Sequence, residues 1–281
     1  MKICIVGIGL IGGSLAIDLK RRGFAEKVIG VDSNIHHQNI AMHSGLVDEI
    51  CNLSSAVEQS DLIILCTPVN SNREILPLIL DQIRGSNKVV IDMGSTKSGI
   101  AHVVSGHAGR ERFVASHPMA GTEFSGPMAA MGKLFDYKHA IICDAELSAD
   151  DALATVKRMY ECLNMRLSYM SSAEHDVHVA YVSHLSHITS FALALSVLEK
   201  EKDEENILKL AGGGFESTVR LAKSNAETWA PIFLQNSAYL LEVLENYAEK
   251  IQLFKTHIEA KNTEALTELM IEANKIRKIL N

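Results

Sequence analysis

The chain has 281 residues, of which 47% are hydrophobic and 22% charged, and its formal net charge is −7. This length and composition are typical of a globular protein with one large domain or two ordinary ones. The acidic excess argues against a nucleic-acid partner, which requires a basic surface. No apolar run approaches the roughly 18 residues that span a membrane, and the five cysteines form no CxxC pair. We therefore expect a cytoplasmic protein without a membrane partner.

The first 171 residues alternate short apolar runs with helical stretches. Strands are predicted at Ile3–Val6, Val28–Val31, Leu62–Cys66, Val89–Ile91, Phe113–Ala115, Ala140–Cys143 and Leu167–Met170. Helices are predicted at Ile11–Arg22, Ser33–Ser44, Asn72–Ile83, Gly99–Val104 and Asp150–Leu163. Continuous Val, Ile and Leu runs indicate strands that are buried on both faces. The pattern predicts a Rossmann-type, doubly wound α/β domain with a parallel sheet over residues 1–171.

Residues 172–281 lack strand signals and predict an all-helical second domain. Helices are expected at Ala173–Glu199, Glu204–Leu210, Phe215–Ser224, Ala230–His257 and Thr263–Leu280. The apolar faces of these helices are extensive for so short a domain. Because a second copy of the chain could cover them, we expect a homodimer.

A glycine-rich turn follows the first predicted strand. Gly7, Gly9 and Gly12 satisfy the GxGxxG pattern, with a strand before it, a helix after it, and Asp32 twenty residues beyond Gly12. In this pattern the glycines allow a tight turn and close approach of the pyrophosphate, which the free N–H groups of the helix then bind. The residues expected to contact a dinucleotide here are Gly7, Ile8, Gly9, Leu10, Ile11 and Gly12.

Asp32 favours NAD over NADP. Its carboxylate can accept hydrogen bonds from the ribose hydroxyls and would repel a 2′-phosphate. The next residues, Ser33, Asn34 and Ile35, include no Arg or Lys that could bind such a phosphate. Thr67-Pro68 follows another predicted strand, so we expect this turn to pass near the cofactor as well.

Two polar segments follow predicted strands at the sheet edge where ligands bind in open α/β folds. One contains Ser95, and the other contains His117. Oxidation of an alcohol by NAD requires removal of the hydroxyl proton, and a histidine with an ordinary pKa of about 6.5 is a natural base. His117 is therefore a candidate proton acceptor, and Ser95 could orient its ring. The alternative is that His117 is a hydrogen-bonded core residue.

A helical segment carries four histidines, His175, His178, His184 and His187. Neither an HExxH pattern nor a Cys or carboxylate set accompanies them, so we expect no metal site. Farther on, Arg220 lies in a mostly apolar stretch and needs an anionic partner, because burying an unpaired charge is costly. That partner could be a protein carboxylate or a substrate carboxylate.

Taken together, these segments resemble the prephenate dehydrogenase family. The matching motifs are Gly7-x-Gly-Leu-Ile-Gly-Gly-Ser14, Gly94-Ser-Thr-Lys97, Ser116-His-Pro-Met-Ala-Gly-Thr-Glu123, His175-Asp176 with Ser183-His-Leu-Ser-His187, and Thr218-x-Arg-Leu-Ala222 with Trp229 beyond. They run in order along nearly the whole chain. The dinucleotide turn is shared by many dehydrogenases, whereas the later motifs are much more specific.

The resemblance implies a reaction, NAD-dependent oxidative decarboxylation of prephenate to 4-hydroxyphenylpyruvate in tyrosine biosynthesis. It implies that His117 is the catalytic histidine and that Ser95 contacts both that histidine and the cofactor. Arg220 would bind a prephenate carboxylate. The other residues implied at the substrate pocket are Thr122, Glu123, His184 and His187. The family is typically a dimer built through its helical domain.

The sequence departs from the family pattern at two positions and leaves alternatives open. Ser186 stands where the motif usually has proline, and Ser217 where some members have aspartate. Arogenate dehydrogenase, which performs the same reaction on the transaminated substrate, is one alternative. A β-hydroxyacid dehydrogenase would need a catalytic lysine motif that is not found. A non-catalytic NAD-sensing module would not require His117, Ser95 and Arg220 together.

Overall fold

The computed structural model describes residues 1–203 and 207–279. Within these residues, eight strands form one sheet in the order β3-β2-β1-β4-β5-β6-β7-β8. The strands are β1 (Lys2–Val6), β2 (Lys27–Val31), β3 (Glu49–Ile50), β4 (Leu62–Leu65), β5 (Val89–Asp92), β6 (Phe113–Pro118), β7 (His139–Cys143) and β8 (Arg166–Met170). Neighbouring strands are parallel except for β6 and β7, which are antiparallel.

Helices connect the strands and continue beyond them. The helices are α1 (Leu10–Arg21), α2 (Ile35–His43), α3 (Leu53–Gln59), α4 (Val69–Gln82), α5 (Ser98–Val103), α6 (Asp150–Cys162), α7 (Ser172–Val179), α8 (Leu185–Asp203), α9 (Gly213–Val219), α10 (Ala226–Gln235), α11 (Ser237–Glu259) and α12 (Thr263–Ala273). This arrangement confirms the predicted doubly wound sheet followed by a helical region.

The apolar strands are buried on both faces, and alternate residues enter two cores. In β1, Ile3 and Ile5 pack in one cluster with Leu15 and Leu19 of α1. The intervening Cys4 packs in the second cluster with residues of α3 and α4. Because successive side chains of a strand point to opposite faces, this division explains why the strands read as continuous apolar runs.

Two details of the sheet differ from the prediction. The short β3 was not predicted, because Glu49–Ile50 contains only one apolar residue. The sheet is mostly parallel, as predicted, but β7 pairs with β6 in the antiparallel direction, with His117 opposite Ile141. A strand that is buried on both faces has the same apolar pattern in either direction, so its sequence does not reveal its orientation.

The helix predicted at Ala173–Glu199 extends from Ser172 to Asp203 in the structure, and it is not uniformly α-helical. It is built from α7, a π-helical turn at Ala180–His184, and α8. The predicted helix Ala230–His257 is divided into α10 and α11 at Asn236.

Two further helix predictions fall partly outside the described residues. Residues 204–206 of the expected Glu204–Leu210 helix are not described, and Leu208–Leu210 form a 3₁₀ turn. The expected Thr263–Leu280 helix is α12 followed by a 3₁₀ turn at Asn274–Lys278, and residue 280 lies beyond the described part.

The helical stretch Ser172–Lys202 corrects the expectation about membrane-length apolar segments. By length and composition it could cross a membrane, and its most apolar stretch has a mean hydropathy of 1.3. Only 11% of that stretch is buried within the chain. Nevertheless, His175, Asp176 and His184 on the same helical stretch are fully or almost fully buried, so its first half belongs to the polar interior described below.

Two compact units are defined by the contacts within the chain. The first, Met1–Asn236, contains the sheet and helices α1 to α10. The second, Ser237–Asn281, contains α11 and α12, which pack against each other. Every residue of the candidate site belongs to the first unit.

Candidate active site

The GxGxxG turn has the shape that a dinucleotide requires. Gly7 has a φ of +93°, and a Cβ there would lie 2.8 Å from the Cys66 carbonyl. A Cβ on Gly12 would lie 2.1 Å from the Gly7 oxygen, so helix α1 can approach β1 only because this residue is glycine. A Cβ on Gly9, in contrast, would have no atom of this chain within 4 Å. The chain therefore leaves open space beside Gly9, where the pyrophosphate would approach.

The N-terminus of α1 is available to an anion. Gly9 is the N-cap residue, no side chain caps the helix, and no acidic residue occupies its first turn. Uncapped N–H groups and the helix dipole favour a negatively charged group at this end. The residues present thus fit the pyrophosphate of NAD.

Asp32 follows β2 and lies next to the same turn. One oxygen accepts a hydrogen bond of 2.9 Å from the Ile8 N–H, and the other accepts one of 2.8 Å from the Asn34 N–H. A carboxylate has about four lone-pair positions, so two remain for ribose hydroxyls. The His37 ring lies 3.6 Å from the carboxylate.

The Thr67-Pro68 turn lies against the glycine-rich turn, as expected. The Thr67 methyl group would be 2.9 Å from a Cβ on Gly7, so the two turns are in close contact. Thr67 Oγ1 donates a hydrogen bond to the Asn72 side chain, which holds the turn on α4.

His117 is buried near the end of β6 and bonds to a second histidine. Its Nδ1 lies 2.9 Å from Nε2 of His175, and Nδ1 of His175 lies 2.8 Å from the carboxylate of Asp176. Burial holds the pKa of His117 well below its usual value, and the neighbouring His175, Lys97 and His184 lower it further. Burial also lowers the pKa of His175. Both imidazoles are therefore neutral near pH 7.

A buried ion pair fixes the strand that carries His117. The Lys97 ammonium, which is inaccessible to solvent, pairs with Asp92 and donates a 2.7 Å hydrogen bond to the Ser116 carbonyl. Asp92 also accepts the Ser116 N–H at 3.2 Å. Because Asp92 ends β5 and Ser116 immediately precedes His117, this pair ties the two strand ends together.

Asp176 joins α7 to the segment that follows β5. Its two oxygens accept the N–H groups of Lys97 and Ser98, each at 2.8 Å. The pKa of Asp176 is lowered: burial alone would raise it, but the hydrogen bonds from His175 and these amides outweigh that effect. Asp176 is therefore ionised.

Ser95 is placed beside His184. Its backbone raises the pKa of His184, although burial dominates and lowers that pKa to about 4. Among the described residues, no hydrogen bond joins Ser95 to His117, so the expected orienting contact is made by His175 instead.

His184 is held by Asn236. The Asn236 side-chain amide donates to the Asp176 carbonyl at 2.8 Å and to Nδ1 of His184 at 3.0 Å. Since that contact requires Nδ1 to be the acceptor, the proton of the neutral ring lies on Nε2. Within the described part of the chain, this buried Nε2 makes no hydrogen bond of normal geometry, although the Ser95 backbone is close enough to raise the pKa of the ring slightly. A donor left without a partner in the interior is a candidate contact for a bound molecule.

His187 and Trp229 form a flat aromatic surface. Their ring centroids are 3.4 Å apart with an interplanar angle of 23°. His187 donates from Nδ1 to the Ser183 carbonyl at 3.0 Å, and burial lowers its pKa. Trp229 also meets the edge of His184.

Arg220 pairs with Glu123. The guanidinium and carboxylate are 2.8 Å apart, and half of the Arg220 side chain is exposed. Arg220 is also close enough to His187 to lower its pKa. Thr122 accepts the Phe124 N–H at 3.3 Å, and no contact with His117 or Arg220 is recorded for it within the described residues. Arg220 thus combines a protein carboxylate partner with a surface that a small anion could reach.

Electrostatic proximity connects the candidate residues in one series. The pKa of His117 is lowered by His184, and the pKa of His184 is lowered by His187. The pKa of His187 is in turn lowered by Arg220, which pairs with Glu123. The dinucleotide turn lies at the same edge, because β1, β2, β4, β5 and β6 are parallel. In the described residues no cluster of three or more His, Cys, Asp or Glu side chains could hold a metal ion.

Three functional groups were not assigned a role from the residues alone. His175 and Asp176 were part of a motif, but their bonds to His117 depend on how α7 meets β6. The role of Asn236 could not be predicted, because an asparagine between two apolar helical stretches is also common as a plain connecting residue.

Family models match nearly the whole chain. The model of the prephenate dehydrogenase nucleotide-binding domain matches residues 15–169, and the model of the prephenate dehydrogenase dimerization domain matches residues 171–272.

Curated relatives agree with these matches. A prephenate dehydrogenase of Lactococcus lactis is 28% identical over 99% of this chain and 77% of its own length. A cyclohexadienyl dehydrogenase of Zymomonas mobilis is 29% identical over 99% of this chain and 95% of its own length.

Solved structures show the same fold over the full length. Prephenate dehydrogenase from A. aeolicus, in complex with hydroxyphenyl propionate and NAD+, has a TM-score of 0.88 at 32% identity and covers 100% of this chain and 98% of its own. Synechocystis arogenate dehydrogenase has a TM-score of 0.76 at 29% identity and covers 100% of both chains. The chain belongs to the prephenate dehydrogenase family of NAD-dependent oxidoreductases, which is involved in tyrosine biosynthesis.

Proposed function

We propose that this chain oxidises and decarboxylates prephenate to 4-hydroxyphenylpyruvate, with His117 as the proton acceptor. The observation that carries the proposal is the His117 ring. It is buried and neutral, its Nδ1 bonds to His175, and its Nε2 has no bond within the described residues. A neutral imidazole with an unbonded nitrogen can accept the proton of a substrate hydroxyl.

The remaining residues bind and orient the substrate. Bound NAD would supply the acceptor for the hydride, with Gly7 to Gly12 on its pyrophosphate and Asp32 on its ribose. As the hydroxyl carbon becomes a carbonyl, the substrate loses its ring carboxylate as CO₂ and becomes aromatic. Ser95 follows the C-terminal end of β5, its backbone interacts with His184, and we assign it a cofactor contact.

Arg220 is assigned to a substrate carboxylate. A guanidinium binds a carboxylate by paired hydrogen bonds, and this one can exchange Glu123 for the substrate. Thr122, Glu123, His184 and His187 complete the proposed pocket. The unpartnered Nε2–H of His184 is a neutral donor there.

Prephenate is the proposed substrate, and arogenate is the second candidate because a structural relative acts on it. The two differ only in the side-chain keto or amino group. A non-catalytic NAD sensor is the alternative from another class, and it would bind NAD without reducing it.

The test is NAD reduction by purified protein with prephenate and with arogenate in parallel. We expect turnover with prephenate and the higher kcat/KM for that substrate. His117→Asn should lower kcat by roughly 10²-fold or more while NAD still binds, because general-base groups contribute mainly in the transition state. His102→Leu, on the exposed surface of α5, is a matched control. Absence of turnover with both substrates would leave the sensor as the function.

We further propose that residues 1–171 form the NAD-binding domain and residues 172–281 the substrate-binding and dimerisation domain. The two family models, which meet between residues 169 and 171, support this boundary. A homodimer is supported by the second model and by exposed apolar side chains on α8, including Leu195 and Leu198. We propose a cytoplasmic location, which free cysteines and a biosynthetic activity support.

A further inference from the structure

Three buried side chains form a continuous hydrogen-bonded row that ends at His117. The contacts are Asp176 to His175 at 2.8 Å and His175 to His117 at 2.9 Å. The two imidazole rings meet edge to face, with centroids 5.1 Å apart. We propose that His175 and Asp176 are positioning residues that fix His117 in the tautomer with a bare Nε2, an inference that rests on the function proposed above.

The tautomers follow from the order of the row. Asp176 is an ionised carboxylate and can only accept, so Nδ1 of His175 must carry a proton. In a neutral imidazole the other nitrogen is then an acceptor, so Nε2 of His175 is bare. That atom faces Nδ1 of His117, which must therefore donate. The lone pair of His117 is left on Nε2, the atom that has no partner within the described chain.

The row is anchored at its far end by backbone. Asp176 accepts the N–H groups of Lys97 and Ser98 at 2.8 Å each, so its carboxylate cannot rotate away from His175. The charged groups that face the row from other elements are Lys97 and Asp92, which pair with each other, and His184 faces it as a neutral ring. Asp176 is therefore the anion that balances any positive charge that arises on the two rings.

Proton transfer along this row balances as follows. The substrate O–H bond breaks, and a bond forms between that proton and Nε2 of His117. The electron pair left on oxygen forms the carbonyl as the hydride leaves the same carbon with its own pair. The two imidazoles now carry one positive charge between them. It lies on His117 at first, and it lies on His175 once the Nδ1 proton of His117 has moved to Nε2 of His175. Asp176 stays ionised and stabilises that charge in both cases.

Two substitutions of His175 separate positioning from packing. In His175→Leu, Nδ1 of His117 loses its acceptor, and we expect kcat to fall by roughly 10²-fold, with the KM for prephenate and the Kd for NAD changed less than about threefold. In His175→Gln, the amide oxygen can accept from His117 and the amide nitrogen can donate to Asp176. We therefore expect the kcat of His175→Gln to be at least about tenfold higher than the kcat of His175→Leu. A merely structural role predicts that Leu, which packs as an apolar side chain, is tolerated at least as well as Gln.

Asp176→Asn gives an independent pH readout. Removing the carboxylate charge disfavours the protonated pair, so the acidic limb of kcat/KM should move to lower pH while the plateau falls. His102→Leu is the control for loss of a histidine elsewhere. Rates within about threefold of wild type in both His175→Leu and Asp176→Asn, with an unmoved acidic limb, would overturn the proposal.

The tautomer can also be measured without turnover. In protein labelled with ¹⁵N-histidine, and with His117→Asn to assign the resonances, we expect His117 to carry its proton on Nδ1. An Nε2–H signal for His117 in the wild type would overturn the inference even if variants fail to fold. If the wild type turns over neither prephenate nor arogenate, the proposed function fails, whereas normal turnover in both His175→Leu and Asp176→Asn with an unmoved acidic limb overturns only the role of the row.

Discussion

At the scale of single residues, we propose that Asp32 determines which cofactor fits. Its carboxylate accepts two backbone N–H groups and still presents unused lone pairs beside the glycine-rich turn. A 2′-phosphate would meet this negative charge at close range. The sequence is sufficient to predict this preference, because the position of Asp32 follows from the motif spacing.

Asp32→Ser should weaken discrimination against NADP. We expect the ratio of Kd values for NADP and NAD to fall by about tenfold, since one unfavourable charge contact is removed. Titration calorimetry of both cofactors on both proteins measures it. Equal affinity of the wild type for NAD and NADP would contradict the assignment.

Residue contacts across the fold were much less predictable. The sequence identifies His117 and Arg220 as groups that need partners, but the partners lie 58 and 97 positions away along the chain. The expected partner of His117 was Ser95, which the family resemblance places beside that histidine. The partner is His175, because α7 crosses the end of β6 at a place that no local pattern encodes.

At the scale of elements, the β1–α1 turn shows that two glycines in one motif have separable functions. Gly12 is required by the fold, since a Cβ would collide with the Gly7 carbonyl. Gly9 has ordinary extended dihedral angles and open space, so only a ligand needs it to be glycine.

Gly9→Ala should therefore keep the melting temperature of the apo protein and weaken NAD binding by roughly tenfold or more, because a methyl group occupies the pyrophosphate space. Gly12→Ala is the matched comparison and should lower the melting temperature as well. Thermal unfolding and NAD titration on both variants test this. Unchanged NAD affinity in Gly9→Ala would mean that the phosphates lie elsewhere.

Whether a segment is a helix or a strand could be predicted where its hydrophobic periodicity and its length indicate the same structure, as in β1 and α1. The π-helical turn at Ala180–His184 was not, because its residues read as ordinary helix. This turn contributes His184 to the interior, and single π-helical turns are frequent at functional sites. Strand direction at β7 was likewise hidden by burial on both faces.

At the scale of the whole molecule, buried histidines couple stability to pH. The pKa values of His117, His175, His184 and His187 are all lowered by burial, to about 4 for His184. The unfolded chain binds protons near pH 6.5, whereas the folded chain does not until lower pH. Their stabilising contribution is therefore complete above about pH 6.5 and is lost as the pH falls towards 4.

We expect the free energy of unfolding to fall by about 1 kcal/mol for each of the three buried histidines, His117, His175 and His184, between pH 7.5 and 5.5, and by less for the partly exposed His187. Urea denaturation at the two pH values measures the difference. The free energy of unfolding of His184→Gln should fall by less over the same pH range, because this variant has one titrating group fewer. A free energy of unfolding that is constant across this range would show that these rings are not kept neutral by the fold.

Assembly is the second whole-molecule property. Leu195 and Leu198 on α8 are 67% and 51% exposed and, three positions apart, share one face of the helix. Leu195→Glu combined with Leu198→Glu should shift the protein from dimer to monomer in light scattering after size-exclusion chromatography. Leu78→Glu, at a position 63% exposed on α4, is the control. A wild-type monomer at all concentrations would contradict the proposed dimer.

The stacking of His187 on Trp229 has a consequence for spectroscopy. The chain contains one tryptophan, so its entire indole emission arises from a ring in van der Waals contact with this histidine. Any molecule that separates the two rings, or any proton that His187 takes up, changes the electronic environment of that single fluorophore. The protein therefore carries an intrinsic optical reporter at its proposed pocket, and occupancy can be followed by emission intensity before a catalytic assay is available.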